Sequence, residues 1–385
     1  MWKKINDLIS RTKDISTIGI VDVTSSGIGA LFWFYIASVL LPEEYGEISY
    51  VIAIAAIVST ISMPGIKNAL TVYGAKQVKI QSTLYLISLV LVTISSIVVF
   101  ILFSKYEISL LIVGYVIFNL VISDLIGRKL FSSYAKYIII NKILMVILGI
   151  GLYYAIGNEG VIIGIALSSF PYILRIFKEF RITKIDFSLV KERIRFMLTS
   201  YVTQLSTTFA GSIDKLIIAP MLGFALLGNY HLGLQFISIF MIIPSIVFKY
   251  TLPHDASGNS NKKLKRLSII CSVVIATLGF FITPYVIPIL FEKYFEAIEI
   301  IQILSISVIP STINLNFKSK FLGQEKNKFI LGGSMLYLPI LIVGMIVLGN
   351  TLGAVGIAIA YNISVVSEML FYVIMSKRVK EVNNV

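Results

Sequence analysis

The chain has 385 residues, of which 57% are hydrophobic and 14% are charged, and its mean hydropathy is +0.90. Ordinary soluble domains carry roughly 25% charged residues, so this composition indicates a membrane protein. One cysteine, Cys271, excludes a disulfide framework, and two histidines, His231 and His254, are too few for a histidine-rich metal centre. We therefore expect no metal site and no cofactor. We ascribe the net charge of +13 to membrane topology, not to nucleic-acid binding.

A helix needs about 20 apolar residues to cross a bilayer core. Twelve runs of this kind can be placed along the chain, with approximate bounds 15–41, 45–66, 82–103, 108–131, 137–156, 161–177, 194–221, 226–252, 267–291, 297–322, 329–348 and 352–375. The sequence therefore predicts an all-α polytopic membrane protein of about twelve spans. No gap between them can hold a soluble catalytic domain and no P-loop motif occurs, so we expect no enzyme.

The basic residues alternate with these runs. Of the 33 Lys and Arg residues, only Lys105 and Lys293 lie in odd-numbered gaps, and Lys215 lies inside a span. The others lie in the even-numbered gaps, in the tails or close to the adjoining span ends. Cytoplasmic loops carry the excess of Lys and Arg, so both termini are predicted to be cytoplasmic. The segment 1–14 reads either as an amphipathic interfacial helix or as a plain basic flank.

A long basic connection divides the chain into two sets of six spans. We predict an N-terminal lobe over 1–178, a basic cytoplasmic linker over 179–193 and a C-terminal lobe over 194–385. The stretches 38–50 and 219–232 resemble each other, as do 127–142 and 318–334. Six is an even number, so the halves have the same orientation. Parallel repeats of this kind typically enclose a central cavity and work by alternating access.

Several stretches, in order, resemble the polysaccharide-flippase (Wzx-like) branch of the multidrug/oligosaccharidyl-lipid/polysaccharide (MOP) exporter superfamily. They are LLPEEYGEISY with ISMPGIKNALTVYGAKQ, IDKLIIAPMLGFALLGNYHLGLQF, IPSIVFKYTLPHDA, ILFEKYFEAIEIIQILSISVIP, FLGQEKNKF and LGAVGIAIAYNIS. One departure is the turn GFALLGN, which lacks the acidic pair of PEEYG. The resemblance covers nearly the whole chain.

The resemblance implies that the protein moves a polyprenyl-(di)phosphate-linked oligosaccharide from the cytoplasmic to the outer leaflet of the plasma membrane. It also implies contact with membrane lipids, and leaves open coupling to H⁺ or Na⁺ and a polysaccharide polymerase as partner. A cation-coupled multidrug antiporter of the same superfamily is the main alternative. A glycan polymerase or glycosyltransferase is less favoured, because the external gaps offer no site for general acid–base chemistry.

Polar residues inside spans are costly and are therefore candidates for the substrate path. Asp22 lies in the first span, where it either lines a cavity or meets water at the cytoplasmic end. Asp214 and Lys215 lie in the seventh span. Neighbours on a helix point about 100° apart, so we expect Lys215 to face the cavity and Asp214 a neighbouring helix. The alternative is a structural ion pair.

The remaining candidates lie in three other spans. Glu368 lies in the twelfth span, where it either lines the cavity or extends to the membrane–water interface. Ser311, Asn314 and Lys318 form a stripe on the tenth span that suits hydrogen bonds to sugars, although small polar residues also join helices. Asn119 lies in the fourth span. Asp124 precedes Arg128 by four residues, and we expect that i,i+4 pair to be structural.

Overall fold

The computed structural model describes residues 2–257 and 260–382, with side chains over 19–252, 254–257 and 260–377. The predicted amphipathic face of 1–14 lies outside the described side chains. In these ranges the regular elements are helices: α1 (Trp2–Val39), α2 (Pro42–Ile61), α3 (Ile66–Ala75), α4 (Gln81–Phe103), α5 (Tyr106–Gly127), α6 (Phe131–Ile156), α7 (Asn158–Leu167), a 3₁₀ turn (Phe170–Tyr172), α8 (Ile173–Ile182), α9 (Phe187–Lys191), α10 (Ile194–Ala210), α11 (Ile213–Leu222), α12 (Phe224–Phe240), α13 (Ile242–Ala256), α14 (Lys262–Leu290), α15 (Ala297–Ile306), α16 (Val308–Gly323) and α17 (Asn327–Val382).

Nine helical segments of the described chain are long and apolar enough to cross a membrane, and the bent pair α12–α13 raises that number to ten. Helix α17 counts as one of these ten segments, although it contains a break at Gly353. The segment spanning α10 and α11 is absent from the ten, because helices of 17 and 10 residues are each too short. The expectation of an all-α polytopic membrane protein is confirmed.

Helix α17 is a hairpin of two arms. Gly353 turns the chain with φ 59° and ψ −133°, a conformation that favours glycine. On either side of it, a Cβ atom on Gly356 would overlap the carbonyl oxygen of Leu348, and one on Gly333 would overlap the Tyr372 ring. The arms therefore run antiparallel in close contact, as the predicted eleventh and twelfth spans require.

The contacts group the chain into two compact units. Unit 1 comprises Met1–Phe32 and Tyr50–Ser212, and unit 2 comprises Trp33–Ser49 and Ile213–Val385. The predicted lobe boundaries stay a prediction. Helix α10 is grouped with unit 1, where Thr208 Oγ1 lies 3.1 Å from Thr60 Oγ1. The end of α1 and the first turns of α2 are grouped with unit 2.

Unit 2 buries the side chains that α1 and α2 contribute to it. Tyr45 is fully buried, and its ring centroid lies 5.1 Å from that of His231 and 6.1 Å from those of Trp33 and Tyr294. Aromatic side chains bury large apolar areas and pair edge to face at such distances. This cluster therefore explains why a short piece of the N-terminal half packs with the C-terminal half.

Matching positions in the two halves make matching contacts. A Cβ atom on Gly46 would overlap the carbonyl oxygen of Phe224, and one on Gly228 would overlap that of Pro42. Pro42 and Gly46 in α2 have the same spacing as Phe224 and Gly228 in α12, so the contact is reciprocal. The two stretches are those that resemble each other in sequence.

The second pair of similar stretches also adopts one shape. Gly127 ends α5 and is followed by Lys129 at φ 58°, whereas Gly323 ends α16 and is followed by Glu325 at φ 56°. In both, the next residue donates its backbone N–H to a carbonyl five residues back, which is the hydrogen bond of a Schellman cap. The same helix ending thus recurs in both halves.

Candidate functional site

The predicted candidates Glu368, Asn314 and Lys318 come together in unit 2. Lys318 Nζ lies 2.9 Å from Glu368 Oε1, and Asn314 Nδ2 donates to Glu368 Oε2 at 2.9 Å. Tyr372, one turn after Glu368, donates its hydroxyl to Oε1 at 2.8 Å. Glu368 is 7% exposed. Three donors thus hold one buried carboxylate, which suits a buried charge because burial without partners is costly.

Asp214 and Lys215 form an ion pair with each other. Lys215 Nζ lies 3.0 Å from Asp214 Oδ1, and the Tyr230 hydroxyl donates to Asp214 Oδ2 at 3.2 Å. Both residues lie in the first turn of α11, directly after the break at Gly211–Ser212. Asp214 thus contacts both Lys215 and Tyr230 of the neighbouring helix α12, and the cavity role of Lys215 stays a prediction.

Two further tyrosines of unit 2 interact electrostatically with both clusters. Tyr337 and Tyr361 are each within electrostatic range of both Asp214 and Glu368. The sequence analysis named neither tyrosine, because a tyrosine in a span is usually part of the apolar packing. Together with Tyr230 and Tyr372 they make a buried polar region that connects the carboxylates of spans seven and twelve.

In unit 1, Asp22 packs against α6. The Tyr134 hydroxyl donates to Asp22 Oδ1 at 3.2 Å, and the hydroxyls of Ser25 and Ser26 donate to the Asp22 carbonyl oxygen. The Asp22 carboxylate is thus in contact with a tyrosine of the fifth span, and its place in a substrate path stays a prediction.

Lys142 lies two turns further along the same pair of helices. It is the eleventh residue after the start of α6 at Phe131, or about 16 Å along the helix at 1.5 Å per residue. A Cβ atom on Gly29 of α1 would lie 3.8 Å from Lys142 Nζ. The polar contact of that nitrogen in the described residues is the Met145 sulfur at 4.0 Å, and no carboxylate pairs with it there.

Lys67 is a second, half-buried lysine of unit 1 that the sequence analysis did not single out. It lies at the start of α3, eight residues before that helix ends. Within the described part of the chain its side chain forms no ion pair or hydrogen bond. Both lysines were assigned to the cytoplasmic ends of their spans, but the span of Lys142 begins at Phe131, not at 137 as predicted. The sequence analysis therefore placed Lys142 too close to the end of its span, because it did not locate the start of α6 correctly.

The predicted cytoplasmic ends of α5 and α8 carry a chain of four charged residues in unit 1. Arg128 Nε lies 2.7 Å from Asp124 Oδ1, Arg128 Nη2 lies 2.5 Å from Glu179 Oε2, and Arg175 Nη2 lies 3.2 Å from Asp124 Oδ2. The predicted i,i+4 pair of Asp124 and Arg128 is confirmed. Two positive and two negative charges balance, so this network is structural.

The other candidates have local partners or none. Asn119 donates to the carbonyl oxygen of Tyr115 in its own helix at 2.8 Å. Ser311 lies on the same stripe as Asn314 but is only partly buried. Their roles in a substrate path stay predictions. In the described residues, no group of three or more His, Cys, Asp or Glu side chains could hold a metal ion.

Residues 12–122 match a family model described as polysaccharide biosynthesis protein. A search of curated protein sequences finds no match. The match covers the first four spans, including the PEEYG turn.

Solved structures share the fold over nearly the whole chain. The lipid II flippase MurJ in an inward closed conformation matches with a TM-score of 0.75 and 14% identity, over 93% of this chain and 87% of that one. An inward-facing multidrug resistance MATE family transporter of the MOP superfamily matches with a TM-score of 0.72 and 15% identity, over 94% and 96%. The MATE multidrug transporter DinF-BH matches with a TM-score of 0.64 and 15% identity, over 96% and 94%.

These identities are low, so the likeness shows the fold. The solved structures that share it are multidrug transporters and a lipid flippase. The chain is a multi-pass membrane protein that shares its fold with these proteins, and its residues 12–122 resemble a polysaccharide biosynthesis family.

Proposed function

We propose that this protein moves a polyprenyl-(di)phosphate-linked oligosaccharide from the cytoplasmic to the outer leaflet of the plasma membrane by alternating access. The proposal rests on the polysaccharide family match and on the fold. Lipid-linked sugars of this kind are built at the inner surface and used outside. A polymerase or ligase that consumes the glycan would therefore draw the exchange outward.

The observation that carries the proposal is Lys142. A charged residue in the middle of a span costs roughly 2.5–3.5 kcal/mol on insertion scales, so it persists where a partner or a function retains it. Lys142 has no carboxylate partner in the described part of unit 1. A substrate that brings its own negative charge supplies that partner. The phosphates of a polyprenyl carrier are such a group, and a lysine ammonium binds phosphate as a point charge.

Lys67 supports the same assignment, since it is a second cation of unit 1 without a resident anion. We place the eight predicted residues along the path of the sugar head group: Lys215, Asp22, Asp214, Glu368, Asn314, Ser311, Lys318 and Asn119. Asn314 and Ser311 suit sugar hydroxyls, because an amide and a hydroxyl both donate and accept.

The experiment uses proteoliposomes that hold a fluorescent polyprenyl-diphosphate oligosaccharide. The accessibility of the sugar to an impermeant reagent reports exchange between leaflets. We expect Lys142→Met to lower the exchange rate by about tenfold or more, which corresponds to about 1.4 kcal/mol. The matched control is Lys136→Met, which removes the same charge from an exposed position of the same helix and should leave the rate within about twofold.

Wild-type protein that gives no protein-dependent exchange, with or without an ion gradient, would remove the flippase proposal. Equal losses in the two lysine variants would instead show that overall charge matters and that Lys142 has no special role.

The second candidate is a cation-coupled multidrug antiporter, and the buried carboxylates of unit 2 favour it. Asp214 and Glu368 are 5% and 7% exposed, and buried acids of this kind exchange protons or bind Na⁺ in transporters. Each already has a lysine within 3.0 Å, which reduces its affinity for a further cation. Efflux of a cationic dye driven by a Na⁺ or proton gradient in the same proteoliposomes, abolished in Glu368→Gln, would favour the antiporter.

A further inference from the structure

Residues 33–49, which end α1 and begin α2, pack against α12 within unit 2. The His231 ring of α12 takes part in this contact, since its centroid lies 5.1 Å from that of Tyr45 and 6.0 Å from that of Trp33. His231 is the eighth residue of α12, or about 10 Å from the predicted external end of that helix. A titratable ring thus lies in the contact that holds this segment, and the transport proposal assigns no role to it.

The hydrogen bonding of His231 is that of a neutral ring. Its Nε2 atom lies 3.3 Å from the Gln235 amide nitrogen, which donates and does not accept, so Nε2 is the acceptor and the ring proton is on Nδ1. His231 is 8% exposed, and Nδ1 has no hydrogen-bond partner among the described residues. A second proton on Nε2 would face the amide nitrogen, and the charged ring would have no acceptor at either nitrogen.

The charges of α11 also oppose a second proton on His231. Lys215 is within electrostatic range of the ring and repels a positive charge there. The neighbouring Asp214 carboxylate already pairs with Lys215 and accepts a hydrogen bond from the Tyr230 hydroxyl. The acid closest in sequence to this lysine is therefore engaged elsewhere.

The other elements that pack against α12 bring no acid to the ring in the part of the chain that the structure describes. Glu296, just before α15, accepts a hydrogen bond from Asn229, which lies on the opposite side of α12 from His231. Glu44 of α2 accepts from the backbone N–H of Leu41. Helix α15 meets α12 with apolar side chains at Gly233. The titratable groups that remain around this part of unit 2 are Tyr45, Lys293, Tyr294, Tyr337 and Tyr361.

We propose that His231 is a pH sensor, and that protonation of its ring from the external side releases residues 33–49 from α12. The neutral ring packs against Trp33 and Tyr45, whereas the charged ring needs water or an acceptor that the packed arrangement does not supply. Aromatic faces attract a cation, but this attraction is smaller than the cost of a buried ion without a carboxylate. The released state binds one more proton, so the packed arrangement loses stability as the pH falls. The inference goes beyond the transport proposal and needs no substrate.

The chain contains two tryptophans and two histidines, which allows a test with one reporter and one sensor. In full-length Trp2→Phe/His254→Gln protein in lipid nanodiscs, Trp33 is the remaining tryptophan and His231 the remaining histidine. Acrylamide quenching of the Trp33 fluorescence lifetime measures its exposure, and ring ¹⁵N chemical shifts of histidine-labelled protein measure protonation. We expect both to change over the same pH interval between pH 8 and pH 4.5. The quenching constant of the half-buried Trp33 should rise about twofold or more.

The control variant is His231→Phe in the same background, which keeps a ring against Trp33 and Tyr45 but takes up no proton. Its Trp33 should stay as protected at pH 5 as at pH 8. Exposure of Trp33 without protonation of His231, protonation without exposure, or the same rise in His231→Phe would overturn the sensor. The absence of any change down to pH 4.5 would overturn it as well. Neither readout involves a lipid-linked sugar, so failure of the sensor is separate from failure of the transport proposal.

Discussion

The two units differ in how their buried and half-buried lysines are paired. In unit 2, Lys215 and Lys318 each lie within 3.0 Å of a carboxylate, from Asp214 and Glu368 respectively. In unit 1, Lys67 and Lys142 have no carboxylate partner in the described residues. Two acids of unit 1, Asp124 and Glu179, instead pair with Arg128 and Arg175 at the predicted cytoplasmic ends of α5 and α8.

A cation that is paired inside the fold contributes to stability, and a cation without an internal anion lowers it. Breaking a buried pair leaves an uncompensated charge, whereas removing an unpaired charge relieves a cost. The same substitution should therefore have opposite effects in the two units, and four predictions test that difference.

The largest effect is expected for Lys318→Met in unit 2. It leaves Glu368 buried with Asn314 and Tyr372 as donors but without an opposite charge, which should lower the free energy of unfolding by about 3 kcal/mol. Thermal unfolding in detergent measures this. The double variant Lys318→Met/Glu368→Gln should recover most of the loss, and a single variant as stable as the wild type would contradict the pairing.

Lys142→Met in unit 1 should stabilise the protein, in contrast to Lys318→Met in unit 2. Replacing an unpaired mid-span ammonium by a thioether of similar length should raise the free energy of unfolding by roughly 2 kcal/mol. The same unfolding assay applies, now with Lys136→Met as the control that should change little. A destabilised Lys142→Met variant would mean that the lysine has an internal partner, and the comparison between the units would fail.

Gly29→Asp would place a carboxylate beside Lys142, so that this lysine would be paired as Lys215 and Lys318 of unit 2 are. A side chain at Gly29 starts 3.8 Å from Lys142 Nζ, so the new carboxylate can pair with the lysine and compete with a substrate phosphate. We expect exchange of the lipid-linked sugar to fall by about tenfold. Gly29→Asn has nearly the same size without the charge, and equal exchange by the two variants would show that space, not charge, is limiting.

Lys67→Met should have the smallest effect. Lys67 lies closer to the cytoplasmic end of its helix than Lys142 does, and water screens a charge more strongly there. Exchange should fall by about threefold, with Lys76→Met near the end of the same helix as the control. A loss larger than that of Lys142→Met would reverse the order of the two lysines.

Much of the fold follows from the sequence, because hydrophobic length and the alternation of basic residues act through the membrane itself. Most of the twelve predicted runs coincide with helices, including the two arms of the hairpin at Gly353, whereas the seventh run is broken between α10 and α11. The repeat was also visible, since Gly46 and Gly228 lie in similar turns. Glu368, Asn314 and Lys318 were each named from the cost of a polar group in a span.

The sequence could not show which side chains pair with each other in the folded protein. Nothing in the spacing of Glu368 and Lys318 joins two residues 50 positions apart, and the absence of a partner for Lys142 is visible only in three dimensions. The ion pair of Asp214 with Lys215 was not expected for a different reason. Ideal helical angles describe where a Cβ atom points, and they do not describe the end of a flexible lysine at a helix break.

The contact of Gly46 with Phe224 and of Gly228 with Pro42 has the form of an isologous interface, in which residue i meets j and j meets i. A side chain at either glycine would push against the backbone of the opposite turn, so α2 and α12 keep this close approach only while both positions remain glycine.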